Sequence, residues 1–108
     1  MTRPKTQDPT DPMRARIAVA ATALEFGVPD LDVGRPDIRG PLVDFARQVA
    51  MYLTQCLYGM NARRVGELFG RDRSTVTHAV RVVEESRNDP LFDAKLARLE
   101  RWLGAAPV

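Results

Sequence analysis

The sequence predicts an all-α fold, a compact helical domain of about five helices that includes a helix-turn-helix. Three observations predict it. Apolar residues recur at helical spacing through most of the 108 residues. These stretches are bounded by Gly, Pro and short capping side chains. Nothing alternates apolar and polar residues as a half-buried strand would, and there is no internal repeat or heptad seam.

Each element follows from local chemistry. Residues 1–12, MTRPKTQDPTDP, hold three Pro and little that is apolar, so a flexible N-terminal tail is expected before a domain spanning 13–104. Asp11 then Pro12 read as an N-cap and first helical position. A helix over 13–26 follows, with Ile17, Ala20 or Ala21, and Leu24 on its core face and Gly27 as its stop. Residues 27–41, with Val28-Pro29, Gly34-Arg35-Pro36 and Gly40-Pro41, read as a connector with one helical turn near 29–31. The longest periodic stretch, 41–58, points Leu42, Phe45, Val49, Leu53 and Cys56 or Leu57 inward, and Gly59 closes it. Asn61 caps a helix over 62–69 that buries Val65, Leu68 and Phe69 and ends at Gly70. After a short turn, a helix over 73–87 packs through Val76, Ala79, Val80 and Val83. Asn88-Asp89-Pro90 opens the last helix, 91–103, which buries Phe92, Leu96, Leu99 and Leu103 with Trp102 beside them.

Composition narrows the function classes. No apolar run reaches the roughly 18 residues that cross a bilayer, and no signal-peptide pattern opens the chain. A single Cys excludes an internal disulfide framework and suits a reducing cytoplasm, the expected location. There is no phosphate-binding Gly-rich loop. One Cys and one His make no zinc site, and no nucleophile–base pair can be argued. No enzyme activity, cofactor or small-molecule substrate is expected. Net charge is only +2, yet residues 35–87 carry nine Arg against six acids. Arg is the cation that forks onto phosphate and guanine, although a solvated helix surface accounts for the same balance.

The functional signal is the pair of short helices around Gly70. In a helix-turn-helix the second helix enters the major groove and presents its N-terminal residues to base edges. Here its outward face begins Arg71, Asp72, Arg73, Ser74, Thr75 and continues with Thr77, His78 and Arg81, opposite the apolar Val76, Ala79, Val80 and Val83. Arg can fork onto guanine, hydroxyls can meet any base, and a carboxylate can accept from cytosine. Asp72 is equally suited to cap its helix, Ser74 and Thr75 to be ordinary first-turn polar residues, and His78 to face solvent or a phosphate.

The runs ARQVAMYL at 46–53 and VGELFGRDRSTVTHA at 65–79 resemble domain IV of the bacterial replication initiator DnaA, a TrpR-like helix-turn-helix fold. The likeness covers roughly residues 14–103. It implies binding of double-stranded DNA at DnaA-box-like sites, with one helix in the major groove and a basic loop reaching the minor groove. By the same likeness Asp72, Ser74 and Thr75 would meet bases and backbone, and His78 a phosphate. Arg47 and Gln48 would hold the backbone at the start of the long helix, and Arg39 would enter the minor groove. Three positions depart from the family. Arg73 stands where it has His, Gln55 stands where Lys is common, and the loop from Arg35 to Asp44 mixes two Arg with two Asp instead of being strongly basic. The expectation is a stand-alone, nucleoid-associated relative of domain IV that regulates replication initiation or transcription, with binding that is weaker, altered in specificity or partner-dependent. The alternative is a protein-interaction regulator that binds the initiator or its inactivating partners.

Overall fold

The computed structural model describes residues 8–35 and 37–105, and all regular structure among them is helical. Six helices follow in order: α1 (Asp11–Phe26), α2 (Asp30–Gly34), α3 (Pro41–Tyr58), α4 (Ala62–Phe69), α5 (Arg73–Ser86) and α6 (Pro90–Ala105). The ends of α3 and α4 fall at the expected residues, where Gly-Pro and Asn61 start the helices and Gly59 and Gly70 stop them. The sixth element is α2, the helical turn expected near residue 30 extended to Gly34. Among the described residues no helix is long and apolar enough to cross a membrane. Most of the expected tail, residues 1–7, lies outside the described residues, as does Pro36 of the connector.

The start of α1 differs from the sequence expectation. Thr10 takes the N-cap position and Asp11 is already helical. The Asp11 side chain is buried, accepting from Arg64 Nε at 3.2 Å and lying 3.6 Å from Arg14 Nη1. A buried carboxylate persists only when paired, and this pair ties the first turn of α1 to α4.

The face of α1 differs as well. Ala15, Ala18, Ala21 and Thr22 are buried, whereas Leu24 is 83% exposed. Leu24 follows Ala15 by about two and a half turns, which places it on the opposite side of the helix. Small residues let α1 lie close on α3, with Ile17, Val19 and Phe26 packing at the edges of that face and only Leu24 of the expected set turned away.

Packing centres on α3, where Ala46, Val49, Ala50, Met51, Tyr52 and Leu53 are buried. On one side Ala46, Ala50 and Met51 meet Val33, Val65, Phe69, Val76 and Ala79, which joins α3 to α2, α4 and α5. On the other, Val49, Tyr52 and Leu53 meet Ala18, Val83, Leu96, Leu99 and Leu103, which joins it to α1, α5 and α6. Three residues expected inside are outside: Cys56 is exposed, Leu42 is 50% exposed and Trp102 is 58% exposed. Leu57, the other reading of that position, packs against the core.

At the end of α5, Arg87 binds three helices together. Its guanidinium donates to Asp93 and Glu100 of α6 and, at 3.1 Å, to the Tyr52 hydroxyl of α3. Those two carboxylates hold its pKa above the ordinary guanidinium value. This clamp fixes the far end of α5, so its other end is presented on a rigid support.

Candidate nucleic-acid interface

The angle between α4 and α5 is set by a three-residue turn. Gly70 ends α4 in the left-handed region at φ 67°, which a side chain would disfavour. The next residue turns back, Arg71 N–H donating to the Gly66 carbonyl at 2.8 Å. A Cβ on Gly66 would overlap the Arg71 carbonyl oxygen and lie 3.3 Å from the Asp72 carbonyl carbon. The turn therefore packs directly onto the backbone of α4, and only Gly fits there.

Asp72 then starts α5. Its Oδ1 accepts from Thr75 N–H at 2.9 Å and from the Ser74 hydroxyl at 2.8 Å. Those donors, the Thr75 amide first, hold the Asp72 carboxyl below its ordinary value of 3.8. Of the two roles read from the sequence, capping is the one made within the fold. Beyond it the helix divides cleanly. Val76, Ala79 and Val83 are buried, with Val80 partly so. Arg73, Ser74, Thr77, His78 and Arg81 line one open hollow on the outer side. Thr75 is half-buried at the edge of this face, and the Thr77 hydroxyl donates back to the Arg73 carbonyl at 3.0 Å. The geometry brings two cations, two hydroxyls and an imidazole onto one exposed strip about two and a half turns long.

A second hollow adjoins the start of α5, lined by Arg63, Glu67, Arg71, Asp72 and Arg73. Arg63 was not among the residues singled out from the sequence. The signal was available, since Arg63 sits two residues before the buried Val65 and so points away from the core. It is exposed and only loosely paired, 4.0 Å from Glu67.

The residues expected at the loop and at α3 are placed differently. Arg47 is 3% exposed and cannot reach a phosphate in this geometry. Its Nε donates to the Val33 carbonyl at 3.0 Å, and its Nη2 to the carbonyls of Asp32, Arg35 and Ile38 at 2.9, 2.6 and 2.7 Å. Nη1 reaches Asp44 at 3.2 Å. In the fold this guanidinium is an internal clamp that holds α2 and the following loop against α3. Burial first, and then the like charge of Arg71, pull its pKa below the ordinary guanidinium value. Gln48, next to it, is half-buried. Arg39 is exposed but forks onto Asp44, and Arg35 forks onto Asp37. The loop cations are thus neutralised by their own carboxylates, whereas Arg73 and Arg81 line the open hollow on α5.

The family described as the bacterial dnaA protein helix-turn-helix matches residues 17–83 of this chain, more than half of it, including α4, the turn and all but the last turn of α5. The chromosomal replication initiator protein DnaA of Sphingopyxis alaskensis is 48% identical over 61 residues, 55% of this chain and 14% of that protein. The protein of the same name from Deinococcus radiodurans is 43% identical over 79 residues, 71% of this chain and 16% of that protein. The chain spans less than a fifth of the length of either relative. With its all-helical core, its Gly66-packed turn and its family match, the chain belongs to the bacterial DnaA helix-turn-helix family.

Proposed function

We propose that this chain binds double-stranded DNA with α5 in the major groove, at sites resembling the DnaA box, and thereby regulates replication initiation or transcription. One observation carries the reading. The outward strip of α5 collects Arg73, Ser74, Thr77, His78 and Arg81 on a helix whose other side is locked into the core. In this reading Arg73 forks onto a guanine or a phosphate, Ser74 and Thr75 meet the bases, and Thr77, His78 and Arg81 hold the backbone. Asp72 fixes the helix start, while Arg63 and Arg71 flank the phosphates beside it. Gln48 contributes at the edge, Arg39 does so only when freed from Asp44, and nucleoid association follows from the binding itself.

The test is fluorescence anisotropy on duplexes carrying a DnaA box or its scramble, over about 50 to 200 mM salt. Arg81→Ala should weaken both duplexes and flatten the log–log salt slope by about 0.9. Arg73→Ala should erode preference for the box by about 1–3 kcal/mol. Equal and feeble binding to both duplexes, unmoved by either substitution, refutes the reading.

A second reading, a regulator that contacts the initiator or its inactivating partners, is favoured by a different feature. Leu24 and Trp102 stand exposed around one hollow of about 300 Å³ with Ala21 and Leu99, bordered by the Glu25–Arg98 ion pair. Two large apolar side chains standing side by side on the surface are where a partner's apolar group would be covered. Loss of initiator co-purification in Trp102→Ala, with DNA binding intact, would support this reading; co-purification unaffected by the substitution counts against it.

A further inference from the structure

Each exposed cation of the loop between α2 and α3 is met by a carboxylate, Arg35 by Asp37 of the loop and Arg39 by Asp44 of α3, and the second pairing is selective in its geometry. Arg39 meets Asp44 with two prongs, Nε to Oδ1 at 3.0 Å and Nη2 to Oδ2 at 3.3 Å. A guanidinium grips a phosphate in the same forked way. Asp44 is no loose surface partner. It lies in the first turn of α3, its N–H donates to the Gly40 carbonyl at 2.7 Å, and its Oδ1 also takes Arg47 Nη1. Because Arg47 is locked onto four carbonyls, the Asp44 carboxylate is an anchored acceptor aimed at Arg39.

We propose that Asp44 is an internal stand-in for a DNA phosphate, which holds Arg39 on the protein and so sets how strongly the loop contributes to duplex binding. The inference rests on the reading of α5 as the DNA-facing helix. Arg39 has 66% of its side chain exposed, and a pair this open is weak in water. The latch is therefore a graded brake, which competes with phosphate without abolishing binding.

The test combines Asp44→Asn, Arg39→Ala and the double variant on a box duplex, with thermal melts to confirm folding. If Arg39 takes one phosphate when released, Asp44→Asn steepens the log–log salt slope by about 0.9. That corresponds to a gain of up to about eightfold at 0.1 M salt, limited by the strength of the exposed pair, that vanishes towards 1 M. Arg39→Ala alone should change little, and the double variant should return to the wild-type affinity. A double variant that keeps the gain overturns the proposal, because loss of a negative charge then explains it. Arg39→Ala leaves the Asp44–Arg47 contact in place and serves even if Asp44→Asn fails to fold. A loss of about eightfold in that single variant shows Arg39 already on phosphate and also overturns the proposal. Unchanged binding in Asp44→Asn, while Arg81→Ala still weakens the complex, removes the latch and leaves the α5 reading standing. Absence of duplex binding in both wild type and Asp44→Asn removes both.

Discussion

Replacing Arg47 with Ala separates a structural clamp from a phosphate contact. The clamp makes four bonds to backbone carbonyls and one to Asp44. Three of those carbonyls belong to Asp32, Arg35 and Ile38, which reach solvent, so water replaces the lost donor there. Val33 is fully buried, and its carbonyl would be left without its charged donor, at a cost of about 1.5–3 kcal/mol. The removed alkyl stem adds about 0.8 kcal/mol for each buried methylene. A total of about 3–5 kcal/mol corresponds to a Tm drop of at least roughly 12 °C for a domain of this size. Arg47→Lys keeps the charge but not the fork and should recover only part of the loss. Circular dichroism melts read the stability, and duplex titrations at a temperature where both proteins are folded read the binding. A melt within about 3 °C of wild type, combined with a flatter salt slope, would refute the clamp and restore Arg47 as a phosphate contact.

Three further outcomes follow from the same geometry. Gly66→Ala forces the Arg71 carbonyl away from α4, with an expected loss of about 1–3 kcal/mol in a chemical melt and a larger loss of box preference than of scrambled-duplex binding. Arg87→Ala removes the donors to Asp93, Glu100 and Tyr52, and urea unfolding should show about 2 kcal/mol less stability with no change in salt slope. The Asp72 carboxyl is depressed in the fold, so its stabilisation is complete above its ordinary 3.8 and is lost as pH falls through the lower folded value. Asp72→Asn keeps a capping oxygen that takes up no proton there, and helical signal should fall less steeply with acid in that variant.

What could be read from the sequence was local. The caps Asn61 and Asp72 and the stops Gly59 and Gly70 act within three or four residues, so α3, α4 and the start of α5 lie where the pattern puts them. The division of α5 into an apolar and a polar side is likewise a property of spacing. Misreadings arose where distant contacts decide. The core face of α1 is chosen by close approach to α3, which favours Ala15, Ala18 and Ala21 over the larger Leu24. The extent of α2 depends on Arg47, fourteen residues beyond Val33 in the chain. Nothing local marks that Arg as internal, because its partners are main-chain carbonyls that every residue carries. The loop's mixed charge was visible, but the pairing of Arg39 with Asp44 requires the first turn of α3 to place the carboxylate.

These placements shift where cationic charge meets DNA on the reading proposed. The loop cations are engaged with Asp37 and Asp44, and Arg47 is spent on the fold, whereas Arg63, Arg73 and Arg81 stand on the outer surface of α4 and α5. Sequence-independent affinity scales with the number of phosphates neutralised, so removing the loop from that count lowers all duplex binding together. On the same reading the base contacts from α5 are untouched by this change, and they read sequence directly. A domain built this way keeps its selectivity while its residence on any duplex becomes short and sensitive to salt. Such a balance suits occupancy that follows small changes in concentration, and on the proposed reading one carboxylate at the head of α3 sets it.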